Sequence, residues 1–121
     1  MTNPQSFGPL GLPSGRVITF RAPVGLDRAA VVQAMDLSPE RLGAAALMMD
    51  ELIAAKCVLT VDEKPVQDDY RRLFDSWPDA DIQFYLLVHR EMFGLTDEAR
   101  QAAKDAARFL RSGSTSTGGS R

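Results

Sequence analysis

The sequence contains little of what builds a catalytic or metal centre. It has one cysteine and one histidine among 121 residues. A single cysteine excludes a disulfide within the chain, and one cysteine with one histidine cannot complete a tetrahedral zinc site unless carboxylates or a second chain contribute. The glycine-rich motifs that bind nucleotide phosphates are also missing. We therefore predict no metal site and no bound cofactor.

The sequence also has no large excess of either charge sign and no long apolar run. The 14 basic and 16 acidic side chains give a net charge of −2, which provides no attraction to a phosphate backbone and predicts no nucleic-acid partner. The longest uncharged helical stretch, Leu42–Met49, has 8 residues, well short of the ~20 that cross a bilayer. No basic and apolar export signal opens the chain. These absences predict no membrane contact and a cytoplasmic protein.

The two residues best suited to nucleophilic chemistry lie in unsuitable surroundings. His89 falls within a predicted helix, and no serine stands in a Gly-x-Ser-x-Gly turn. Cys57 completes an apolar helical stripe, where a cysteine is typically a small buried hydrophobe. We predict that the protein is not an enzyme and that it has no catalytic residues.

Composition divides the chain into three parts. Residues 1–15 hold three prolines, three glycines and no charge, which excludes a helix and predicts a flexible leader. Docking of this leader through Phe7, Leu10 and Leu12 stays open. Residues 112–121 are rich in glycine and serine and predict a flexible tail. Residues 16–111 are predicted to form a single helical domain.

Periodicity predicts a mainly α fold with a minor β part. Two β-branched segments, 16–21 and 58–61, predict a short two-stranded element, and apolar spacings of three and four predict about five helices. Asp27 is predicted to cap the first helix and Thr96 the last, and Gly94 to end the long helix before it. A further helix is predicted over residues 67–76. The long helix from residue 79 to residue 93 is apolar almost all round, which is typical of a central helix.

The apolar side chains exceed what a small five-helix core requires. Methionines and aromatic residues recur in the second half of the chain, and such residues are frequent on surfaces that bind irregular partners. That they simply fill the core is the alternative. Seven acidic against three basic residues between 62 and 81 form a region that could attract a basic partner. The predicted partner-binding residues are Tyr70, Phe74, Trp77, Tyr85, Met92 and Phe93.

The order of elements resembles one known family. A strand reading RVITFRAP, a strand and turn reading CVLTVDEKPV, and an apolar helix ending EMFGLTDEAR follow one another between residues 16 and 110. This resembles the tail assembly chaperones of long-tailed bacteriophages, prophages and gene-transfer particles. The segments Val61–Val66 and Met92–Leu95 are the most specific part of the likeness, although Lys64 follows Glu63 where the family often has glycine.

The resemblance implies a non-enzymatic protein of the bacterial host cytosol. Such a protein binds the tape-measure protein, keeps it soluble and recruits tail-tube subunits. Whether the chain also forms a homo-oligomer stays open. The residue patterns leave two alternatives open: a structural virion component, such as a head-tail connector or tail-completion protein, and a small DNA-binding regulator built on the helices between residues 27 and 57.

Overall fold

A computed structural model of the chain describes residues 5–35, 38, 40, 42–67 and 69–113, with the backbone alone at 42 and 45–47. These residues form five helices and four strands, which confirms a mainly α fold with a minor β part. Of the tail predicted over 112–121, residues from 114 lie outside the described chain. In chain order the elements are β1 (Ser6–Gly11), β2 (Val17–Arg21), α1 (Gly25–Ala34), α2 (Leu42–Lys56), β3 (Val58–Val61), β4 (Lys64–Pro65), a 3₁₀ helix (Tyr70–Ser76), α3 (Asp79–Phe93) and α4 (Asp97–Ser112).

The strands form one antiparallel sheet in the order β1-β2-β3-β4. The predicted pair, β2 with β3, lies at its centre, but the sheet has four strands rather than two. The first extra strand falls in the leader that was predicted to be flexible: Phe7 lies opposite Phe20 of β2. Prolines and glycines do exclude a helix there. An edge strand tolerates them, because its outer backbone groups need no partner.

Gly8 permits the close approach of β1 to β2. Its φ is +125°, and a Cβ at this position would lie 2.8 Å from the backbone oxygen of Ile18. The register of the two strands shifts between Phe7 and Leu10. A residue without a side chain is therefore required at this point of the edge strand.

The described chain separates into two compact units, one ending at His89 and the other beginning at Arg90. That residues 16–111 form one helical domain stays a prediction. In the first unit, α1 packs against α2 and α2 against the 3₁₀ helix. Its core combines sheet and helix residues, and the largest fully buried side chains are Tyr85, Phe20, Ile18, Val31, Asp81 and Cys57.

The observed helix ends match the sequence-based prediction at Thr96 and Gly94 and differ from it at Asp27. Thr96 caps α4 by accepting a hydrogen bond from the Ala99 backbone N–H at 3.0 Å, and Gly94 follows the last residue of α3, as predicted. Asp27 was wrongly predicted as the cap of α1: Val24 holds that position, and Asp27 lies three residues into the helix, where its carboxylate accepts from the Val24 backbone N–H.

The helix predicted over residues 67–76 is shorter and tighter. It is a 3₁₀ helix that begins at Tyr70, after Asp69 caps it by accepting from the Arg71 backbone N–H at 2.9 Å. The seven residues of this helix lie between a cap at Asp69 and Trp77-Pro78, which leaves too little length for a stable α-helix, and 3₁₀ geometry is common in such short connections.

Candidate functional site

The structure leaves a set of large apolar side chains in contact with solvent. Scattered exposed apolar residues are normal on any protein, so the informative feature is their grouping on single elements. Two helices carry such groups, one in each unit. Among the described residues, the exposed large apolar side chains are Val24, Leu26, Met48, Phe84, Leu87, Met92, Leu95, Phe109 and Leu110.

In the first unit the group lies on α3. Phe84 is 39% exposed and Leu87 is 54% exposed, and Ala80 is exposed one turn before Phe84. Residues at i, i+4 and i+7 lie along one face of a helix. We name these three residues the α3 stripe. Its exposure corrects the prediction that α3 is a central helix, because only one side of α3 is covered.

The covered side of α3 is fixed to the core by three long-range hydrogen bonds. The Tyr85 hydroxyl donates to the Ala54 carbonyl of α2 at 2.7 Å. The carboxylate of Asp81 accepts from the backbone N–H of Ser14 at 2.9 Å and from its hydroxyl at 2.6 Å. Both Tyr85 and Asp81 are fully buried. The α3 stripe therefore stands on a helix whose orientation is set by buried polar contacts.

Of the six residues predicted to bind a partner, two belong to the core. Tyr85 has no exposed surface and Trp77 is 7% exposed. The ring of Tyr85 contacts that of Phe20 at 5.4 Å between centroids and those of Phe74 and Trp77 at 6.2 Å each. Aromatic clusters of this kind stabilise a fold through area burial and edge-to-face geometry. The structure thus gives Tyr85 and Trp77 a packing role.

The other four predicted residues retain some exposure. Tyr70 and Phe74, in the first unit, are half-buried, and so is Phe93 in the second unit, whereas Met92 is 43% exposed. The Lys56 ammonium lies 5.8 Å from the centre of the Tyr70 ring, within reach of a cation–π interaction. Partner binding by these four residues stays a prediction. Sequence reasoning missed Phe84 and Leu87, because an apolar helix does not reveal which of its sides faces the core.

In the second unit the exposed group lies on α4. None of its residues is buried, and Phe109 and Leu110 are 63% and 57% exposed. Ala99, Ala102 and Ala106 share the same helical face at spacings of three and four. We name the set Ala99, Ala102, Ala106 and Phe109 the α4 seam. Its opposite side carries most of the charged residues of the helix.

The acidic region between residues 62 and 81 is largely engaged within the first unit. Asp69 binds Arg71 at 2.6 Å, and Arg71 holds the pKa of that carboxyl at about 2. Asp79 accepts from the Gln83 amide at 2.5 Å, and Asp62 accepts from the Val17 backbone N–H at 3.0 Å. The described residues contain no group of three or more side chains placed to hold a metal ion.

Burial shifts the pKa values of Cys57, Tyr85 and His89 in the direction that favours their neutral forms. Burial raises the pKa of the Cys57 thiol to about 11 and also raises that of Tyr85. Burial lowers the pKa of His89, and Asp50 opposes the shift. Asp27 behaves in the opposite way: the bidentate Arg21 hydrogen bonds hold its pKa far below the usual value. A protonated thiol is a poor nucleophile, so the protonation state of Cys57 favours a packing role for this residue over a catalytic one.

Within the described part of the chain, no helix has the length and apolarity that a membrane span requires. No protein-family model matches the sequence, and no curated protein and no solved structure is significantly similar to it.

Proposed function

We propose that this protein is a non-enzymatic assembly chaperone that binds an apolar helix of another protein, as phage tail assembly chaperones bind the tape-measure protein before tail-tube subunits replace them. The single observation that carries the proposal is the exposure of Phe84 and Leu87 on the α3 stripe. The order of elements and the segments Val61–Val66 and Met92–Leu95 support the choice of this family.

The spacing of the α3 stripe suits a helical partner. Ala80 and Leu87 are seven residues apart, which corresponds to about 10 Å along a helix axis. Such a row of side chains packs into the groove between neighbouring rows of a second helix. A tape-measure protein is expected to expose a long apolar helical stripe until the tail tube surrounds it, so a short complementary stripe on the chaperone would bind it weakly and reversibly.

The contacts beneath the α3 stripe favour binding without rearrangement. Asp81 and Tyr85 fix α3 through hydrogen bonds to Ser14 and Ala54. Because the helix is already ordered, association does not require the chain to fold on its partner. Pre-organisation of this kind lowers the entropic cost of binding.

The remaining candidates receive less support. A DNA-binding regulator built on α1 and α2 would need several basic side chains directed at phosphates, but α1 contains one basic residue, Arg28, and α2 contains one, Lys56, which binds the carboxylate of Asp27. A head-tail connector or tail-completion protein would form a ring of fixed mass. Measuring the mass of the chain alone and with a tape-measure fragment distinguishes such a ring from a chaperone, whose copies would bind separately along the tape-measure protein.

The test is co-expression of the chain with the tape-measure protein of the same phage or prophage genome. We expect the tape-measure protein to stay in the soluble fraction and to co-purify with the chain. Phe84→Ser and Leu87→Ser should each weaken binding by more than about 1 kcal/mol, because a central apolar contact is lost. Titration of a tape-measure fragment by calorimetry measures the loss.

Leu26→Ser provides the matched control. Leu26 is 76% exposed on α1, so the substitution removes a similar exposed side chain from another element. Its binding should equal that of the wild type, and all three variants should keep the wild-type melting temperature within a few degrees. A tape-measure protein that remains insoluble beside the wild-type chain, or binding that Leu26→Ser weakens as much as Phe84→Ser, would refute the proposal.

A further inference from the structure

We propose that Arg21 and Lys56 form a binding site for one carboxylate, presented by an acidic side chain of a partner protein. The proposal concerns the junction of β2, α1 and α2 in the first unit and does not depend on the function proposed above. It rests on the convergence of the two cations on one oxygen of Asp27, on the hydrogen-bond donors that they retain, and on the charge of the cluster.

The two cations donate to the same atom. Nη2 of Arg21 lies 2.8 Å from Oδ1 of Asp27, and Nζ of Lys56 lies 3.1 Å from the same oxygen. The two nitrogens are therefore no more than about 6 Å apart. A charged N–H donor bonds a carboxylate oxygen at about 2.8 Å, so a second carboxylate can accept from both nitrogens at once.

Both side chains retain donors that Asp27 does not use. A guanidinium has five N–H donors and an ammonium has three. Arg21 gives two of its donors to Asp27 and one to the Ala22 carbonyl, and Lys56 gives one to Asp27. Among the described residues, no acceptor is placed for the others. The two side chains are 20% and 26% exposed, so a ligand can reach these donors from solvent.

The cluster carries one more positive charge than it neutralises. Within the described part of the chain, Asp27 is the only acidic side chain that forms an ion pair with Arg21 or Lys56. The nearby Cys57 does not balance the charge, because burial raises its thiol pKa to about 11 and keeps it protonated. A partly desolvated cation without a counter-charge is unfavourable. A ligand with one negative charge would neutralise the cluster.

An acidic side chain suits this cluster better than a phosphate group. A phosphate carries a charge of about −1.5 to −2, which exceeds the single charge to be neutralised and would repel the buried carboxylate of Asp27. A glutamate or aspartate brings one charge. The centre of the Tyr70 ring lies 5.8 Å from the Lys56 ammonium, and this ring offers an apolar surface to the methylene groups of the incoming side chain.

The site is ordered before a ligand arrives. The Asp27 side chain is 3% exposed, and its other oxygen, Oδ2, accepts from the Val24 backbone N–H at 2.8 Å. Asp27 therefore holds both cations in place from beneath. Binding of a carboxylate does not require these side chains to be ordered anew, which lowers its entropic cost.

The first experiment titrates the isotope-labelled full chain with the peptide acetyl-Ala-Glu-Ala-amide and, separately, with acetyl-Ala-Gln-Ala-amide, at constant ionic strength. We expect the glutamate peptide to shift the backbone amide resonances around Arg21 and Lys56 in a saturable manner, and the glutamine peptide to leave them in place. Equal responses to the two peptides, or no response to either, overturn the proposal. Inorganic phosphate that binds more tightly than the glutamate peptide overturns the choice of a carboxylate.

The second experiment removes one of the two cations. Lys56→Gln keeps a hydrogen-bond donor but removes the charge, so the affinity for the glutamate peptide should fall by about fivefold or more. Lys64→Gln is the matched control, because Lys64 is an exposed lysine of β4 outside the cluster, and it should leave the affinity within about twofold. Well-dispersed amide spectra show that both variants are folded. An affinity that Lys56→Gln leaves unchanged, or that Lys64→Gln lowers equally, overturns the proposal.

Discussion

The carboxylate of Asp27 accepts one hydrogen bond from each terminal nitrogen of Arg21, both at 2.8 Å. The Lys56 ammonium donates to the same carboxylate at 3.1 Å, and the Val24 backbone N–H donates at 2.8 Å. The Asp27 side chain is only 3% exposed. The last residue of β2, the first turn of α1 and the last residue of α2 therefore meet at one buried negative charge.

Replacement of Asp27 by asparagine should destabilise the fold strongly. The change leaves Arg21 and Lys56, whose side chains are 20% and 26% exposed, without their counter-charge. Because water partly solvates these two cations, we expect a loss somewhat below the ~3–5 kcal/mol that breaking a fully buried pair costs. Chemical denaturation measures the free energy of unfolding. Asp69→Asn is the matched control, because Asp69 also binds an arginine but at the surface, and exposed ion pairs contribute only about 0–1 kcal/mol. Equal losses in the two variants would contradict the assignment.

The same carboxylate should make the fold sensitive to acid. Arg21 holds the pKa of Asp27 well below its usual range, whereas in the unfolded chain the carboxyl titrates near its ordinary value of about 4. The stabilisation is therefore complete above that value and is lost as the pH falls below it, because protons then bind the unfolded chain preferentially. Thermal melting of the wild type between pH 6 and pH 2 should show a steeper decline than that of Asp27→Asn.

Removal of the Tyr85 hydroxyl should destabilise the core without disturbing its packing. Tyr85→Phe keeps the ring among Phe20, Phe74 and Trp77 but leaves the buried Ala54 carbonyl without this donor. The Ala54 carbonyl still accepts from the Cys57 backbone N–H, so we expect a loss of about 0.5–1.5 kcal/mol in the free energy of unfolding. Tyr70→Phe should change it little, since the half-buried ring remains near Lys56. A Tyr85→Phe variant as stable as the wild type would show that the hydrogen bond contributes nothing.

The glycines of β1 should respond differently to the same substitution. Gly8→Ala places a methyl group 2.8 Å from the Ile18 oxygen at a positive φ, and strain of this kind costs about 1–3 kcal/mol. Gly11→Ala meets no atom within 4 Å and should leave the melting temperature almost unchanged. If the two variants have the same melting temperature, β1 does not pair with β2 as described.

Cys57 should be inert in the folded protein. It is fully buried, and its thiol pKa is raised to about 11, so both access and ionisation limit its reaction. A disulfide reagent such as Ellman's reagent should modify it only as fast as the chain opens, and rapidly in denaturant. Stoichiometric modification of the native protein within seconds would contradict the placement of Cys57 in the core.

Local sequence patterns predicted the elements whose stability is local. The cap at Thr96 and the end of α3 before Gly94 follow from residues within a few positions of one another. Each strand of the central pair follows from its own β-branched segment, although the two strands are distant in sequence. The signals for β1 were absent, because an edge strand takes its order from pairing with β2 and tolerates glycine and proline. Asp27 was placed at the helix cap because its residue type fits a cap. Its hydrogen bonds with Arg21, the Val24 backbone N–H and Lys56 show why it lies at the third helical position instead.

The candidate site was less predictable than the fold. Hydrogen bonds between residues 31 and 67 positions apart, Tyr85 to Ala54 and Ser14 to Asp81, decide which side of α3 is covered. No periodicity contains that information when a helix is apolar on every side. The sequence predicted that the protein has more apolar side chains than its core requires, but it did not predict where they are exposed. The tertiary structure was needed to locate that exposed surface at Phe84 and Leu87.

Both outer strands of the sheet contain a proline: Pro9 lies in β1, and Pro65 is one of the two residues of β4. A proline cannot donate a backbone hydrogen bond, and a two-residue strand offers almost no template for another chain. Growth of the sheet by strand addition is thereby discouraged at either margin. Assembly through the edges of the sheet is therefore disfavoured, and with it fibrous aggregation by strand pairing.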